Sequence, residues 1–155
     1  MQPGIVHYVR TLAASQFRAA LAQNAIATLD LDPAIQGVSL GPHAACHVVG
    51  VQILSAEQLD WGVYLYRKNT YNVATIDSNF LAGYWEFVAS TARRIAATGP
   101  YIYFDASSPQ IPYWDEDRLG QIHMGLVNRS AAGKSADDAG AISVRLFLQL
   151  GIGGS

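Results

Sequence analysis

The chain has 155 residues and a formal net charge of −2; half of its residues are hydrophobic, 14% are charged, and one is a cysteine. This length fits one domain with an ample core, and the single cysteine, Cys46, excludes an internal disulfide framework and favours a reducing cytoplasm. The scattered basic residues and the lack of a long apolar run make nucleic acid and a membrane unexpected partners.

Charged residues are too sparse to cover the exterior of a monomer. Part of the surface is therefore expected to contact other protein, as in an oligomer or an assembly. A signal peptide is not expected, because His7 and Arg10 interrupt the apolar residues near the N-terminus.

Short apolar runs separated by glycine and proline predict an all-β sandwich or barrel with about seven strands. Several runs alternate with a period of two, as half-buried strands do. In the fourth run, for example, Trp61 and Val63 face one way and Tyr64 the other. The predicted strands lie, in chain order, at Gly4–Ala13, Ala25–Asp32, Cys46–Ser55, Leu59–Lys68, Pro100–Ser107, Gly120–Asn128 and Ala139–Leu150.

Two segments are ambiguous between helix and strand. Leu12–Ala25 is rich in alanine, and Ser78–Gly99 has apolar residues at helical spacing with Ser78 as a candidate cap. Tyr84, Trp85 and Phe87 also fit a strand. We expect strands here, with one or two short helices at most.

The stretch "AGKS" (Ala132–Ser135) resembles the end of a phosphate-binding loop, but Asn128 stands where that pattern needs its first glycine. The residues that follow alternate as a strand does, rather than forming the helix that such a loop precedes. Arg129–Gly140 is therefore predicted to be the tip of a β-hairpin between the last two strands.

The stretch "HAACH" (His43–His47) offers two imidazoles and a thiol. In a strand, His43 and His47 would share one face while Cys46 points to the other, so the three do not converge on a metal. A buried cysteine between two partly exposed histidines is the expected arrangement.

Aromatic and acidic residues are concentrated in Ile111–His123. The segment lacks the pattern of an EF-hand loop, so we expect an exposed loop bent at Pro112, with Tyr113 or Trp114 packed beneath it. The alternative is a sugar- or ion-binding surface formed by Tyr113, Trp114 and the acids Asp115–Asp117.

No motif pairs a nucleophile with a base, although serines, Cys46 and four histidines are available. His123 is expected to be a half-buried histidine with its polar atoms satisfied. A hydrolase that uses His123 or Ser130 is a weaker hypothesis, and neither an enzyme nor a bound cofactor is expected.

The last third of the chain resembles the closing hairpin of small β-sandwich proteins on tailed-phage virions. Those proteins commonly show L-H-x-x-L-x-N-x-S, then small residues with a lysine, then A-G-x-x-G and a strand. The residues that carry the resemblance are His123, Leu126, Asn128, Ser130, Lys134, Gly140 and Val144. The acids Asp137–Asp138 depart from the pattern.

The resemblance implies a single jelly-roll-like β-sandwich at 14–155, with 1–13 as an N-terminal arm or first strand. It implies a capsid cement or decoration protein, made in the host cytoplasm and carried on the virion. Its partners would be the major capsid protein or other virion proteins, and its own copies in an oligomer such as a trimer. A minor head or tail protein and a carbohydrate-binding module are the alternatives.

The expected interface consists of the Met1–Ala13 arm, which could add a strand to a neighbouring sheet, and the loops Ser107–Arg118 and Asn128–Gly140. The residues predicted to contact partners are Ile5, His7, Tyr8, Arg10, Tyr113, Trp114, Asn128, Arg129 and Lys134.

Overall fold

The computed structural model describes residues 8–11, 19–36, 40–68, 80–136 and 141–149. These residues form eight strands and two short 3₁₀ helices, Pro33–Gln36 and Ala89–Thr91. The strands are β1 (Tyr8–Thr11), β2 (Ile26–Leu31), β3 (Cys46–Ser55), β4 (Trp61–Tyr66), β5 (Leu81–Phe87), β6 (Tyr101–Tyr113), β7 (Ile122–Asn128) and β8 (Ile142–Gln149).

The strands form two antiparallel sheets with the orders β1-β8-β3-β6 and β2-β7-β4-β5. We call them the first and the second sheet. Strand β1 pairs with β8, β2 with β7, β3 with β6 and β4 with β5, so the chain folds back on itself as one long rolled-up hairpin. This strand order is that of a jelly roll. The predicted all-β sandwich is confirmed.

The predicted hairpin between the last two strands is wrong. Strand β7 pairs with β2 and β4, whereas β8 pairs with β1 and β3 in the other sheet. The segment after Asn128 therefore passes from one sheet to the other. Alternation identifies a strand and its buried face, but it carries no information about the partner of that strand.

The core lies between the two sheets and is built from the inward-facing positions of the alternating strands. In β8, Ile142, Val144, Leu146 and Leu148 are buried, whereas the residues between them are half-buried on the outer face. In β4, Trp61, Val63 and Leu65 belong to this core, while Tyr64 and Tyr66 join a second cluster on the outer face. The faces predicted for both strands are confirmed.

The two ambiguous segments form no long helix where the structure describes them. Leu81–Phe87 is a strand, followed by the 3₁₀ helix, and residues 19–25 form a turn and an isolated bridge. The rest of the Leu12–Ala25 segment and the start of Ser78–Gly99 lie outside the described residues. Across the described ranges, no helix is long and apolar enough to cross a membrane.

Strand β6 is longer than the sequence predicts. It continues through Pro112 to Tyr113 at the edge of the first sheet, so most of the predicted Ser107–Arg118 loop is strand. Proline is tolerated there because an edge strand leaves some of its N–H groups unpaired. The loop itself begins only at Trp114.

Candidate functional site

The structure describes seven of the nine predicted interface residues, and these seven do not share one environment. Ile5 and His7 lie outside the described residues, and the backbone of Tyr8 and Arg10 pairs with Leu148 and Leu146 of β8. The side chains of Tyr113, Asn128 and Lys134 are buried, Arg129 is half-buried and Trp114 is exposed.

Lys134, which the sequence predicts to contact a neighbouring subunit, is buried within its own chain. Its Nζ donates to the carbonyl oxygens of Ala19 at 2.8 Å and Ser135 at 3.0 Å, and its backbone pairs with Leu21. Burial lowers the pKa of Lys134, although the carboxylate of Glu57 opposes the shift. The ammonium group therefore holds the backbone near Ala19 against the loop that contains Lys134. It is not available to bind a phosphate.

Asn128, which the sequence also predicts as an interface residue, forms hydrogen bonds within its own chain. Its Nδ2 donates to the carbonyl oxygens of Leu21 at 2.9 Å and Ala132 at 3.2 Å, and its Oδ1 accepts from the N–H of Ser130 at 3.0 Å. Asn128 thus orders the beginning of the crossover between the sheets.

His123 is the centre of a buried polar chain that the sequence did not reveal. Its Nδ1 lies 2.7 Å from Oδ1 of Asp30, and its Nε2 lies 2.9 Å from Oδ1 of Asp115. The imidazole and the Asp115 carboxylate are both completely buried, whereas Asp30 is partly exposed. Both contacts are hydrogen bonds when each ring nitrogen carries a proton, because ionised carboxylates only accept.

Tyr113 joins this chain through its hydroxyl group. The hydroxyl accepts from the backbone N–H of His123 at 3.0 Å and lies 2.7 Å from the carbonyl oxygen of Tyr66, to which it donates. Burial raises the pKa of Tyr113 far above its ordinary value, so the phenol stays neutral. We refer to Asp30, Tyr113, Asp115 and His123 as the latch.

Asp115 ties the loop after β6 to the latch. Its carboxylate accepts from the backbone N–H groups of Asp117 at 3.0 Å, Leu119 at 2.9 Å and Gln121 at 3.1 Å. Burial opposes ionisation, but the hydrogen bonds from His123 and from the backbone outweigh it and lower the pKa of Asp115. The loop thus closes over the outer face of the second sheet.

The latch is arranged for structure rather than for catalysis. Both nitrogens of His123 are engaged by carboxylates, so neither is free to accept a proton from a nucleophile. Ser130 follows the opposite end of β7, about 20 Å away at the rise of a strand, and its Oγ accepts from the N–H of Asp60. The hydrolase hypothesis gains no support from these two residues.

Asp115, Asp117 and His123 place three potential metal-ligand atoms within 4.8 Å of one another. The hydrogen bonds above already engage His123 and Asp115, and each ring nitrogen of His123 faces an aspartate oxygen at hydrogen-bond distance. Within the part of the chain that the structure describes, this grouping is explained by the latch without a metal ion.

The residues of "HAACH" diverge, as predicted. Cys46 points into the core, where burial raises the pKa of its thiol to about 12. His47 is half-buried on the opposite face of β3, and His43 is exposed in the turn before the strand. The expected buried cysteine between two partly exposed histidines is confirmed, although His43 does not belong to the strand.

Two residues of the sugar-binding surface predicted around Trp114 are buried. The polar groups of Tyr113 and Asp115 are engaged in the latch. Trp114 itself is 40% exposed; the guanidinium of Arg67 lies 3.6 Å from its ring centroid, and its Nε1 donates to Glu116 at 2.7 Å. The ring is therefore held in place without being covered.

The outer face of the first sheet carries an apolar patch that the described residues leave partly exposed. Phe104 of β6 is 58% exposed and packs edge-on against Phe147 of β8, with ring centroids 5.7 Å apart. We call Leu54, Ile102, Phe104 and Phe147 the apolar face. Among the outward positions around it (His47, Gln52, Ser143, Arg145 and Gln149), Arg145 carries the one formal charge.

Comparison with protein-family models, with curated proteins and with solved structures finds no match to this chain. We therefore infer a function from the fold, the latch and the outer faces of the two sheets.

Proposed function

We propose that the chain is a structural protein of a tailed-phage particle and that it acts by binding other virion proteins through the apolar face. The observation that carries the proposal is the exposure of Phe104 beside Phe147 on a sheet face where, among the described outward positions, Arg145 carries the one formal charge. Apolar surface with few charges is typical of the centre of a protein–protein interface.

The fold and the sequence resemblance support the same function. Jelly rolls occur in viral capsid proteins and also in lectins and cupins, so the fold alone does not distinguish among these functions. The resemblance of Ile111–Leu150 to phage virion proteins favours the first. A cement protein fits best, because bridging several capsid subunits multiplies weak contacts through effective concentration.

Both edges of the first sheet offer further contacts. Strand β1 forms one edge and β6 the other, where Ile102 already pairs with Arg93. The N–H and C=O groups that remain free along an edge strand can pair with a strand of another subunit. Trimerisation through these edges, with the apolar face against the capsid, is the assembly that we propose.

The copy number of the protein in purified particles from its source tests the proposal. Quantitative mass spectrometry should find hundreds of copies in a fixed ratio to the major capsid protein. A few to a few dozen copies would instead place the protein in the tail or at the portal. Its absence from particles would refute a virion function.

A further inference from the structure

A cleft lies at the end of the first sheet where β3 begins and where β6 and β8 end. It has a volume of about 350 Å³ and is lined by Ala45, Cys46, His47, Pro112, Tyr113, Trp114 and Gln149. This volume is at the lower end of the range for small-molecule sites. The cleft is separate from the latch, although Tyr113 borders both.

One wall of the cleft is the ring of Trp114. The guanidinium of Arg67 lies over one face of this ring, 3.6 Å from its centroid, and its Nη2 donates to the carbonyl oxygen of Pro112 at 3.0 Å, so the opposite face is the one left for a ligand. The hydrogen bond from Nε1 to Glu116 restricts rotation of the ring. An aromatic surface held rigidly at the wall of a cleft can stack against a flat apolar face without losing conformational entropy.

One polar group of the cleft has no hydrogen-bond partner among the described residues. Oε1 of Gln149 is buried and finds no hydrogen-bond donor in the described part of the chain. Gln149 is directly opposite His47 in the register of β8 and β3, which places an amide next to an imidazole. A buried acceptor without a donor is unfavourable, and a ligand hydroxyl would satisfy it when the amide turns into the cleft.

Among the described residues, the lining contains no lysine, arginine, aspartate or glutamate side chain. An anionic ligand such as a phosphate would find no fixed positive charge in the cleft. A pyranose ring offers what the lining requires, namely an apolar face for the indole and hydroxyl groups for the amide and the imidazole.

We propose that this cleft binds a neutral saccharide, with Trp114 stacking on a pyranose ring and with Gln149 and His47 binding its hydroxyl groups. The site does not depend on the proposed assembly function. Binding of sugar by the isolated protein and binding of the protein to particles can each fail without the other.

Saturation-transfer difference NMR of the full chain with cellobiose, maltose, lactose and diacetylchitobiose tests the proposal. At least one of these neutral disaccharides should receive saturation from the wild-type protein. Tryptophan fluorescence should change on binding, and it should report on Trp114 because Trp61 and Trp85 are buried. The absence of transfer to every sugar, or transfer confined to an added acidic saccharide, would overturn the proposal.

Three variants locate the site. Trp114→Ala should abolish binding, and Gln149→Leu, which keeps the shape and removes the amide, should weaken it by roughly tenfold. Tyr84→Ala is the matched control, since Tyr84 has a similar exposure of 37% but lies on the second sheet. Unchanged binding in both cleft variants, with folding verified by thermal unfolding, would place the sugar elsewhere and overturn the proposal.

Discussion

The outer faces of the two sheets differ in how far the described chain buries their apolar side chains. On the second sheet, Tyr64, Tyr66 and Val127 are buried in a cluster with Ile26, Phe80 and Leu81 packed against it, and the loop held by Asp115 covers His123. On the first sheet, Phe104 and its apolar neighbours have no comparable cover among the described residues.

The difference indicates where each face obtains its stability. The covered face is closed by hydrogen bonds within the chain, so changes there should alter folding. The apolar face is incomplete in the isolated chain, so changes there should alter association and leave folding almost intact. Variants on the two faces separate these two effects.

Replacing Asp115 with alanine should cause the largest loss of stability, about 3–5 kcal/mol, because it leaves His123 and three backbone N–H groups without their buried acceptor. Urea denaturation measures this loss. Asp117→Asn removes one charge from the same loop and should cost less than about 1 kcal/mol. Equal losses in the two variants would contradict the central position given to Asp115.

The latch also predicts how stability depends on acidity. The pKa of Asp115 in the folded chain lies below its ordinary value of 3.8, so its carboxylate stabilises the fold at neutral pH. This contribution should decline as the pH falls below about 4 and approaches the folded pKa. The difference in unfolding free energy between wild type and Asp115→Asn should therefore narrow from pH 7 to pH 3. A difference that stays constant over this pH range would show that ionisation of Asp115 does not stabilise the fold.

Lys134→Met should cost about 1 kcal/mol, since it removes two hydrogen bonds but also relieves the burial of a charge. Lys68→Met is the control, because the Lys68 ammonium lies over the ring of Phe80 instead. Thermal unfolding of both variants checks this ordering. A larger loss at Lys68 would show that the contacts of Lys134 contribute little.

Phe104→Glu should change the unfolding free energy by less than about 1 kcal/mol, because Phe104 is mostly exposed and its main described contact is one edge-on ring. Chemical denaturation at low protein concentration measures this effect. A loss comparable to that of Asp115→Ala would mean that the apolar face is needed for folding, and the contrast between the two faces would disappear.

The sequence predicts the strands better than their arrangement. Alternation correctly places Ile142 and Val144 inside and Tyr64 outside, because successive side chains of a strand point alternately toward the core and away from it. It does not show that β7 and β8 belong to different sheets, since pairing between distant strands leaves no local pattern.

The sequence does not predict the latch, because contacts between residues that are distant in the chain leave no local pattern. Asp30 stands directly opposite His123 in the register of β2 and β7, although 93 positions separate the two in the chain. Asp115 reaches the imidazole only because the loop after β6 folds over the sheet. Once the strand order is known, the outward alternation of Asp30 and His123 would be enough to predict that they meet.

The most direct test of the proposed function measures binding to capsids that lack the protein. Purified Phe104→Glu and Ile95→Glu variants each place a carboxylate at an exposed apolar position, but Ile95, which is 91% exposed, lies outside the strands. We predict that wild type and Ile95→Glu co-sediment with the capsids and that Phe104→Glu does not. Equal binding by both variants would contradict the apolar face as the docking surface.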